Sequence, residues 1–290
     1  MRAKIKLFLR VAKAPLCLMV GFSTALGYLL ANPFFSLDLY MSSCGVFFLA
    51  CGAASINSIQ EKDADACYKR TRNRPVATGK VSPKAAALFA IINCTIGLSL
   101  LVFCGNALMP FFLGLAALGI YNVIYTPLKP ISELAILPGT VSGVFPPFIG
   151  WISGHGQLFD PLIWTVMALF FLWQPPHFCL ILLEYTEDRH QKHRFRNLVT
   201  RFTVKKVKKI IAIWLLAFLT IVLSLTALPG YLSQGIRFIL ATGAPVFVTV
   251  FLIHLFLDKN PRYKMLFVSL NGFMFSIMVL LTFSSIMETI

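Results

Sequence analysis

Charged residues are scarce in this chain of 290 residues: only 13% are charged, and only 11 are acidic. A soluble domain has about a quarter of its residues charged and about half apolar, whereas 58% are hydrophobic here and the mean hydropathy is +0.78. This shortage of polar surface excludes a soluble enzyme, a disordered tail protein and a nucleic-acid-binding protein. The sequence also lacks low-complexity tracts, long linkers and any strong internal repeat.

Paired cysteines are missing as well. The seven cysteines are odd in number, have no Cys-x-x-Cys spacing and lie mostly inside apolar segments. This pattern excludes a disulfide framework and a thiolate metal site, so we interpret the cysteines as small packing residues.

Long apolar segments, in contrast, are abundant. A membrane-spanning helix needs about 20 apolar residues, and nine segments of the chain meet this requirement. We therefore predict an all-α, polytopic membrane protein, a bundle of nine transmembrane helices that forms a single domain over residues 1–290. The predicted spans are 14–32, 40–58, 84–104, 107–125, 133–154, 161–183, 207–228, 232–256 and 265–287.

The positive charges orient these helices. The net charge is +15, and with a cytoplasmic N-terminus 25 of the 26 Lys and Arg residues fall inside, with Arg237 alone outside. The basic stretch before the first span is also typical of a cleaved signal peptide, but its removal would leave an even helix count that fits these charges less well. We expect a multi-pass protein of the inner (cytoplasmic) membrane, with its C-terminus outside and its active site opening to the cytoplasmic side.

Two acidic clusters follow apolar spans on the predicted cytoplasmic side. Asn57, Glu61 and Asp65 are spaced by four residues, so on a helix their side chains share one face. Glu184 and Asp188 repeat this spacing after the sixth span. Clustered carboxylates repel each other unless a cation holds them, and oxygen ligands suit Mg²⁺, with Mn²⁺ as an alternative. Each cluster alone is more typical of a solvated helix end, but the two together favour a metal site.

Basic residues adjoin the first acidic cluster. Arg70 and Arg74 follow it closely, and Lys129 is the single basic residue of the short loop after the fourth span. Carboxylates, a divalent cation and guanidinium groups together are suited to binding a diphosphate. The alternative is that these charges only set the topology or contact anionic lipid headgroups.

Polar residues also lie inside the sixth span, where Trp173 and Gln174 are followed by two prolines and His177. We predict that Pro175 and Pro176 interrupt the helix and that the polar side chains face a cavity. A lone His would more often be a packing residue, but this grouping favours a binding role. The fifth span shows a similar break within 143–151.

These motifs resemble the UbiA-type intramembrane prenyltransferases and, within them, the protoheme IX farnesyltransferase branch. The resemblance covers about residues 10 to 200, and the segment at 173–178 (Trp-Gln-x-Pro-His-Phe) is its most specific part. Glu61 stands where the family usually has Asp, and the segment after the sixth span departs from the branch pattern. The other matching elements are Asn57-x-x-x-Glu61-x-x-x-Asp65, Arg70-Thr71-x-x-Arg74-Pro75, Tyr125 to Lys129 in a form one residue shorter, and Pro-Pro-x-Ile-Gly-Trp at 146–151.

The resemblance implies Mg²⁺-dependent transfer of a farnesyl group from farnesyl diphosphate to a vinyl group of heme b, through an allylic carbocation, to give heme O. It also implies membrane lipid and a heme A synthase or terminal oxidase as partners. A quinone-precursor, phenolic or lipid acceptor is the alternative, whereas a transporter would place its ionisable residues at the membrane midplane. The implied residues are Asn57, Glu61, Asp65 and Lys129 for catalysis, Asn57, Glu61, Asp65, Glu184 and Asp188 for the metal, and Arg70, Arg74, Tyr125, Trp173, Gln174 and His177 for the substrates.

Overall fold

The computed structural model describes residues 2–105, 108–185 and 202–287, and every regular element within these ranges is helical. The described residues form two compact units, one within Met1–Gly156 and the other from Gln157 onward. The α-helices are α1 (Arg2–Val11), α2 (Ala14–Ala31), α3 (Leu37–Gln60), α4 (Lys62–Cys67), α5 (Pro83–Val102), α6 (Leu108–Gly119), α7 (Thr126–Leu128), α8 (Ile136–Ser142), α9 (Phe145–Ser153), α10 (Pro161–Glu184), α11 (Val204–Ala227), α12 (Gln234–Leu257) and α13 (Tyr263–Met287), with a π-helix at Ile120–Tyr125 and a 3₁₀ turn at Glu133–Ala135.

Nine helical segments in the described ranges are long and apolar enough to cross a membrane, five in the first unit and four in the second. Their ends fall within three residues of the predicted spans, so the predicted all-α fold of nine spans is confirmed. In α5, α11 and α12 only 28% of the most apolar stretch is buried inside the protein. These exposed apolar surfaces are suited to lipid, and the chain is an integral membrane protein.

Local sequence explains where several helices begin. The Ser82 side chain accepts a hydrogen bond from the backbone N of Ala85 at 3.2 Å, and Asp160 does the same for Leu162 at 2.8 Å. In both helices a proline occupies the first position, where its missing N–H costs nothing. Capping residue and proline together place the starts of α5 and α10.

The sixth span differs from its prediction. Helix α10 runs from Pro161 to Glu184 without interruption, although it contains Pro175 and Pro176, so the predicted break is wrong. A proline removes only its own N–H donor, and neighbouring groups in a membrane protein can compensate for that loss while the backbone stays helical. The fifth span is interrupted as predicted, because α8 ends at Ser142 and α9 begins at Phe145.

Helices α2 and α9 approach each other at two glycines. A Cβ on Gly150 would lie 1.9 Å from the carbonyl oxygen of Thr24, and a Cβ on Gly27 would lie 1.8 Å from that of Pro147. Only residues without a side chain allow backbones to come this close in a membrane protein. This contact holds α2, which begins directly after Lys13, against the rest of the first unit.

We expect Gly150→Ala to lower the melting temperature of the detergent-solubilised protein, because the added methyl group overlaps the α2 backbone and forces the helices apart. Overpacking of this kind costs about 1–3 kcal/mol. The measurement is heating followed by fluorescence-detected size exclusion. Gly243→Ala in α12 is the matched control, since a Cβ there meets nothing within 4 Å. Equal melting temperatures for the two variants would contradict the prediction.

Candidate active site

The first acidic cluster lies where α3 passes into α4. Asn57 is in the last turn of α3, Glu61 joins the two helices, and Asp65 is in α4. The backbone N of Glu61 donates to the Asn57 carbonyl at 2.9 Å, and that of Asp65 donates to Glu61 at 2.7 Å. Helical hydrogen bonding therefore continues through the junction and keeps the four-residue spacing. Asn57 and Asp65 are buried, and the Glu61 side chain is 12% exposed.

Two cationic side chains hold the carboxylates. Nη1 of Arg74 lies 2.8 and 2.7 Å from the two carboxylate oxygens of Asp65 and 3.7 Å from Oε2 of Glu61. Lys129 Nζ donates to Oε1 of Glu61 at 2.7 Å. The structure thus brings together four of the residues predicted for the metal and diphosphate site, from three separate stretches of the chain.

Lys13 completes the cluster and was not among the site residues predicted from the sequence. It lies between α1 and α2 with φ 53° and ψ 43°, a left-handed conformation that is uncommon for lysine. Its Nζ donates to Oδ1 of Asn57 at 2.7 Å. Burial, together with the nearby Arg74 charge, lowers the Lys13 pKa to about 8. The sequence feature that could have indicated Lys13 is its position directly before an apolar helix.

The charges of the cluster support one another. Burial alone would raise the pKa of the Glu61 carboxyl, but the cationic Lys129, Lys13 and Arg74 outweigh it and lower that pKa. Burial would likewise lower the pKa of Lys129, but Tyr125 and Glu61 outweigh it and raise that pKa. Three cationic groups face two carboxylates, so the cluster carries an excess of positive charge that favours an anionic ligand.

Polar groups of the fourth span accept hydrogen bonds from the helix that contains Asn57. This span changes from α6 to a π-helix at Ile120–Tyr125, a form that often occurs at functional sites. Asn57 Nδ2 donates to Oγ1 of Thr126 at 3.2 Å, and Gln60 Nε2 donates to the Asn122 carbonyl at 2.9 Å. Buried Oδ1 of Asn122 has no hydrogen-bond partner among the described residues. The sequence feature that could have indicated Asn122 is its position as a polar residue inside an apolar span.

Two further predicted residues lie near Lys129. Its Nζ is 5.9 Å from the centre of the Tyr125 ring, which in turn lies 5.3 Å from the Tyr121 ring. Arg70 is exposed, and its charge acts on Lys129. The predicted substrate-binding residues of the first unit therefore lie near the acidic cluster.

The motif of the sixth span lies in the second unit. The His177 ring lies between Trp173 and Phe267, at centroid distances of 4.8 and 4.6 Å. Its Nδ1 is 2.9 Å from Oδ1 of Asn271 in α13. The Gln174 side chain donates to the backbone carbonyl one turn earlier at 3.0 Å. His177 is thus held between two helices, in an aromatic environment.

The second acidic cluster is described only in part. Glu184 is exposed, and its Oε2 accepts a hydrogen bond from the backbone N of Lys264 at 2.9 Å, at the start of α13. Asp188 lies outside the described residues. Within the described ranges no group of three or more His, Cys, Asp or Glu side chains is close enough to hold a metal ion. A metal site that includes both acidic clusters stays a prediction.

The fold and the cluster together define a polytopic helical membrane protein with a partly buried site rich in carboxylate and cationic groups. Residues 20–277 match the UbiA prenyltransferase family, and the chain belongs to this family. The resemblance seen in the sequence motifs is therefore confirmed.

Two relatives are named protoheme IX farnesyltransferase. The protoheme IX farnesyltransferase of Oleidesulfovibrio alaskensis is 40% identical over 162 residues, which cover 56% of this chain and 57% of that protein. The protoheme IX farnesyltransferase of Nitratidesulfovibrio vulgaris is 31% identical over 220 residues, which cover 76% of each chain. The aligned region thus extends over little more than half of the first relative and about three quarters of the second.

Solved structures show the same fold. A digeranylgeranylglyceryl phosphate synthase superposes with a TM-score of 0.76 at 16% identity, covering 98% of this chain and 99% of that one. A UbiA homologue from Archaeoglobus fulgidus bound to GPP and Mg²⁺ superposes with a TM-score of 0.72 at 15% identity, covering 97% and 99%. At these identities the likeness concerns the fold alone.

Proposed function

We propose that the chain transfers a farnesyl group from farnesyl diphosphate to a vinyl group of heme b and so produces heme O. The observation that carries the proposal is the set of partly buried contacts between Asn57, Glu61 and Asp65 and three cationic side chains, in a chain of the UbiA prenyltransferase family. The relatives named protoheme IX farnesyltransferase support heme as the acceptor.

The cationic groups bind the diphosphate in this proposal. Lys13, Arg74 and Lys129 now lie against side-chain oxygens of the acidic face. When the diphosphate enters, its oxygens replace those partners, because a phosphate accepts several charge-assisted hydrogen bonds at once. Arg70 and Tyr125, which lie near Lys129, complete this side of the site.

The oxygen atoms left by that exchange fit a hard divalent cation. Asn57, Glu61 and Asp65 offer an amide oxygen and two carboxylates on successive helical turns, a donor set that suits Mg²⁺ or Mn²⁺. Glu184 and Asp188 are proposed as the second group of ligands. A bound Mg²⁺ would neutralise the charge that develops on the leaving diphosphate.

The reaction breaks the bond between C1 of the farnesyl group and the diphosphate oxygen, and the electron pair leaves with the diphosphate. Lys13, Arg74 and Lys129 stabilise the charge on that leaving group, which lowers the cost of forming the allylic cation. The vinyl carbon of heme b then attacks C1, and water adds to the resulting cation with loss of a proton. The product is the hydroxyethylfarnesyl heme, and an apolar surrounding keeps water from the first cation.

The acceptor side of the proposal rests on the second unit. His177 lies in an aromatic environment with Trp173 and Phe267, and an imidazole is a common axial ligand of heme iron. We propose that His177 binds the iron of heme b and that Trp173 and Gln174 contact the porphyrin.

The distribution of Lys and Arg supports a location in the cytoplasmic membrane, with the N-terminus and the acidic cluster inside and the C-terminus outside. A heme A synthase or a terminal oxidase is the class of partner that would use the product.

The test is a mass assay of products formed by the purified protein in liposomes with Mg²⁺, farnesyl diphosphate and heme b. We expect a heme product heavier by one farnesyl group and one hydroxyl group, absent when EDTA removes the metal. A parallel reaction offers aromatic acids as acceptors. If another acceptor is prenylated and heme is not, the prenyltransferase activity stands but heme b is not the acceptor. If the folded protein releases no diphosphate, the proposed prenyl transfer is wrong.

A further inference from the structure

His177 makes a specific polar contact with another helix, which apolar packing alone would not require. Asn271 in α13 places its side-chain Oδ1 2.9 Å from Nδ1 of His177, although the two residues are 94 positions apart. Asn271 lies beyond the region of the sequence motifs, and none of the roles proposed above includes it.

The orientation of the Asn271 amide is fixed by its other atom. Nδ2 donates a hydrogen bond to the backbone carbonyl of Phe267, one turn earlier in α13. Oδ1 is therefore the atom that faces His177, and a carbonyl oxygen can only accept. Nδ1 of His177 must carry the hydrogen, so in the neutral ring Nε2 keeps its lone pair.

Two groups beside this hydrogen bond lack partners. Nε2 of His177 makes no hydrogen bond within the described residues. The Trp173 ring, 4.8 Å away, has a buried Nε1 donor that is also without a partner there. The lone pair that Nε2 keeps suits a ligand that offers an electron-pair acceptor. The iron of a porphyrin is such an acceptor.

We propose that Asn271 is a positioning residue that holds His177 as the Nδ1–H tautomer and so directs Nε2 toward the iron of the heme acceptor. The inference rests on the proposed function, because it requires heme to be the acceptor. A group that accepts from the outer nitrogen of a ligating imidazole fixes the ring and raises its basicity, and losing it typically costs about 10–100-fold in metal affinity.

The competing explanation is a purely structural hydrogen bond between α10 and α13, since polar side chains commonly join helices in membranes. The two explanations differ in what they require of the ligand. A tautomer-setting role affects only a porphyrin that contains iron, whereas a structural role affects every porphyrin that enters the site.

The experiment titrates the full-length protein with ferric heme b and, separately, with metal-free protoporphyrin IX, following the Soret band. We expect Asn271→Leu to weaken heme binding about tenfold or more and to leave protoporphyrin binding unchanged. Asn271→Asp should retain heme binding, because its carboxylate also accepts from Nδ1–H. Asn93→Leu is the matched control, since Asn93 makes the same bond to the carbonyl one turn earlier in α5.

Three results would overturn the positioning role: unchanged heme affinity in Asn271→Leu, an equal loss for both porphyrins, or loss of heme binding in Asn271→Asp. If Asn271→Leu does not fold, Asn271→Ala is titrated in its place. If the wild-type protein farnesylates heme and Asn271→Leu binds heme normally, only the positioning role of Asn271 is wrong. A folded wild-type protein that binds no heme overturns the proposed acceptor as well.

Discussion

Asp65→Asn is expected to lower the rate of heme farnesylation by about 1,000-fold or more at saturating Mg²⁺, which corresponds to about 4 kcal/mol of lost transition-state stabilisation. Asn has the shape of Asp and can still accept from Arg74, which now contacts both Asp65 oxygens at 2.8 and 2.7 Å. It lacks the negative charge that a divalent cation requires, so the diphosphate would lose its metal. The measurement is turnover to the heme product.

The control for this prediction is Asp38→Asn, which makes the same change in the first turn of α3, at the other end of the helix from Asn57. We expect that variant to keep near-normal turnover. The melting temperature of Asp65→Asn is measured alongside, because a purely structural role of the Asp65–Arg74 ion pair would lower stability. Near-normal turnover of the Asp65 variant at saturating Mg²⁺ would remove Asp65 from the metal site.

The spans were predictable because one physical requirement determines them. A helix that crosses the hydrocarbon core needs about 20 apolar residues, and charges or turn residues stop each such segment. Local capping groups such as Ser82 and Asp160 then place the helix starts. The interruption of α10 was predicted wrongly, because Pro175 and Pro176 indicate a break by local rules, while the surrounding helices decide whether the backbone stays helical.

The acidic face of the site was predictable for a similar reason. Asn57, Glu61 and Asp65 have a helical spacing that any reader of the sequence can recognise, and the structure keeps helical hydrogen bonds through them. Of the cations that contact them, Arg74 and Lys129 were also predicted, whereas Lys13 was not, because its contact depends on long-range packing. Lys13 and Asn57 are 44 residues apart, and Lys129 and Glu61 are 68 apart. Asn122 depends in addition on a π-helix, which no local pattern predicts.

The second unit shows the same limit at the acceptor side. The sequence motif named Trp173, Gln174 and His177, because polar residues in an apolar span are unusual. It did not name Asn271, because the hydrogen bond of Asn271 to His177 depends on the contact between α10 and α13. A residue with an unusual local setting, such as His177, is thus easier to predict than one whose contacts come only from the packing of distant helices, such as Asn271.

His177→Ala is expected to weaken the binding of heme b by about 100-fold or more, because losing an iron ligand costs more than the 10–100-fold that follows loss of its hydrogen-bond partner. The apparent affinity for farnesyl diphosphate should stay unchanged, since its proposed contacts, Lys13, Arg74 and Lys129, lie in the first unit. The measurements are a Soret titration with heme and a kinetic titration with farnesyl diphosphate. Added imidazole should restore part of the heme binding by replacing the lost ligand.

His254→Ala is the matched control for this second prediction, since His254 lies partly exposed in the last turn of α12 and pairs with Asp258 at 3.0 Å. It should bind heme like the wild-type protein. If His177→Ala binds heme normally, His177 is not the iron ligand, and Nε2 of His177 has another role. If it weakens heme binding but imidazole restores none of it, the loss comes from disturbed packing between Trp173 and Phe267. Recovery with imidazole alone separates ligation of the iron from support of the aromatic environment around it.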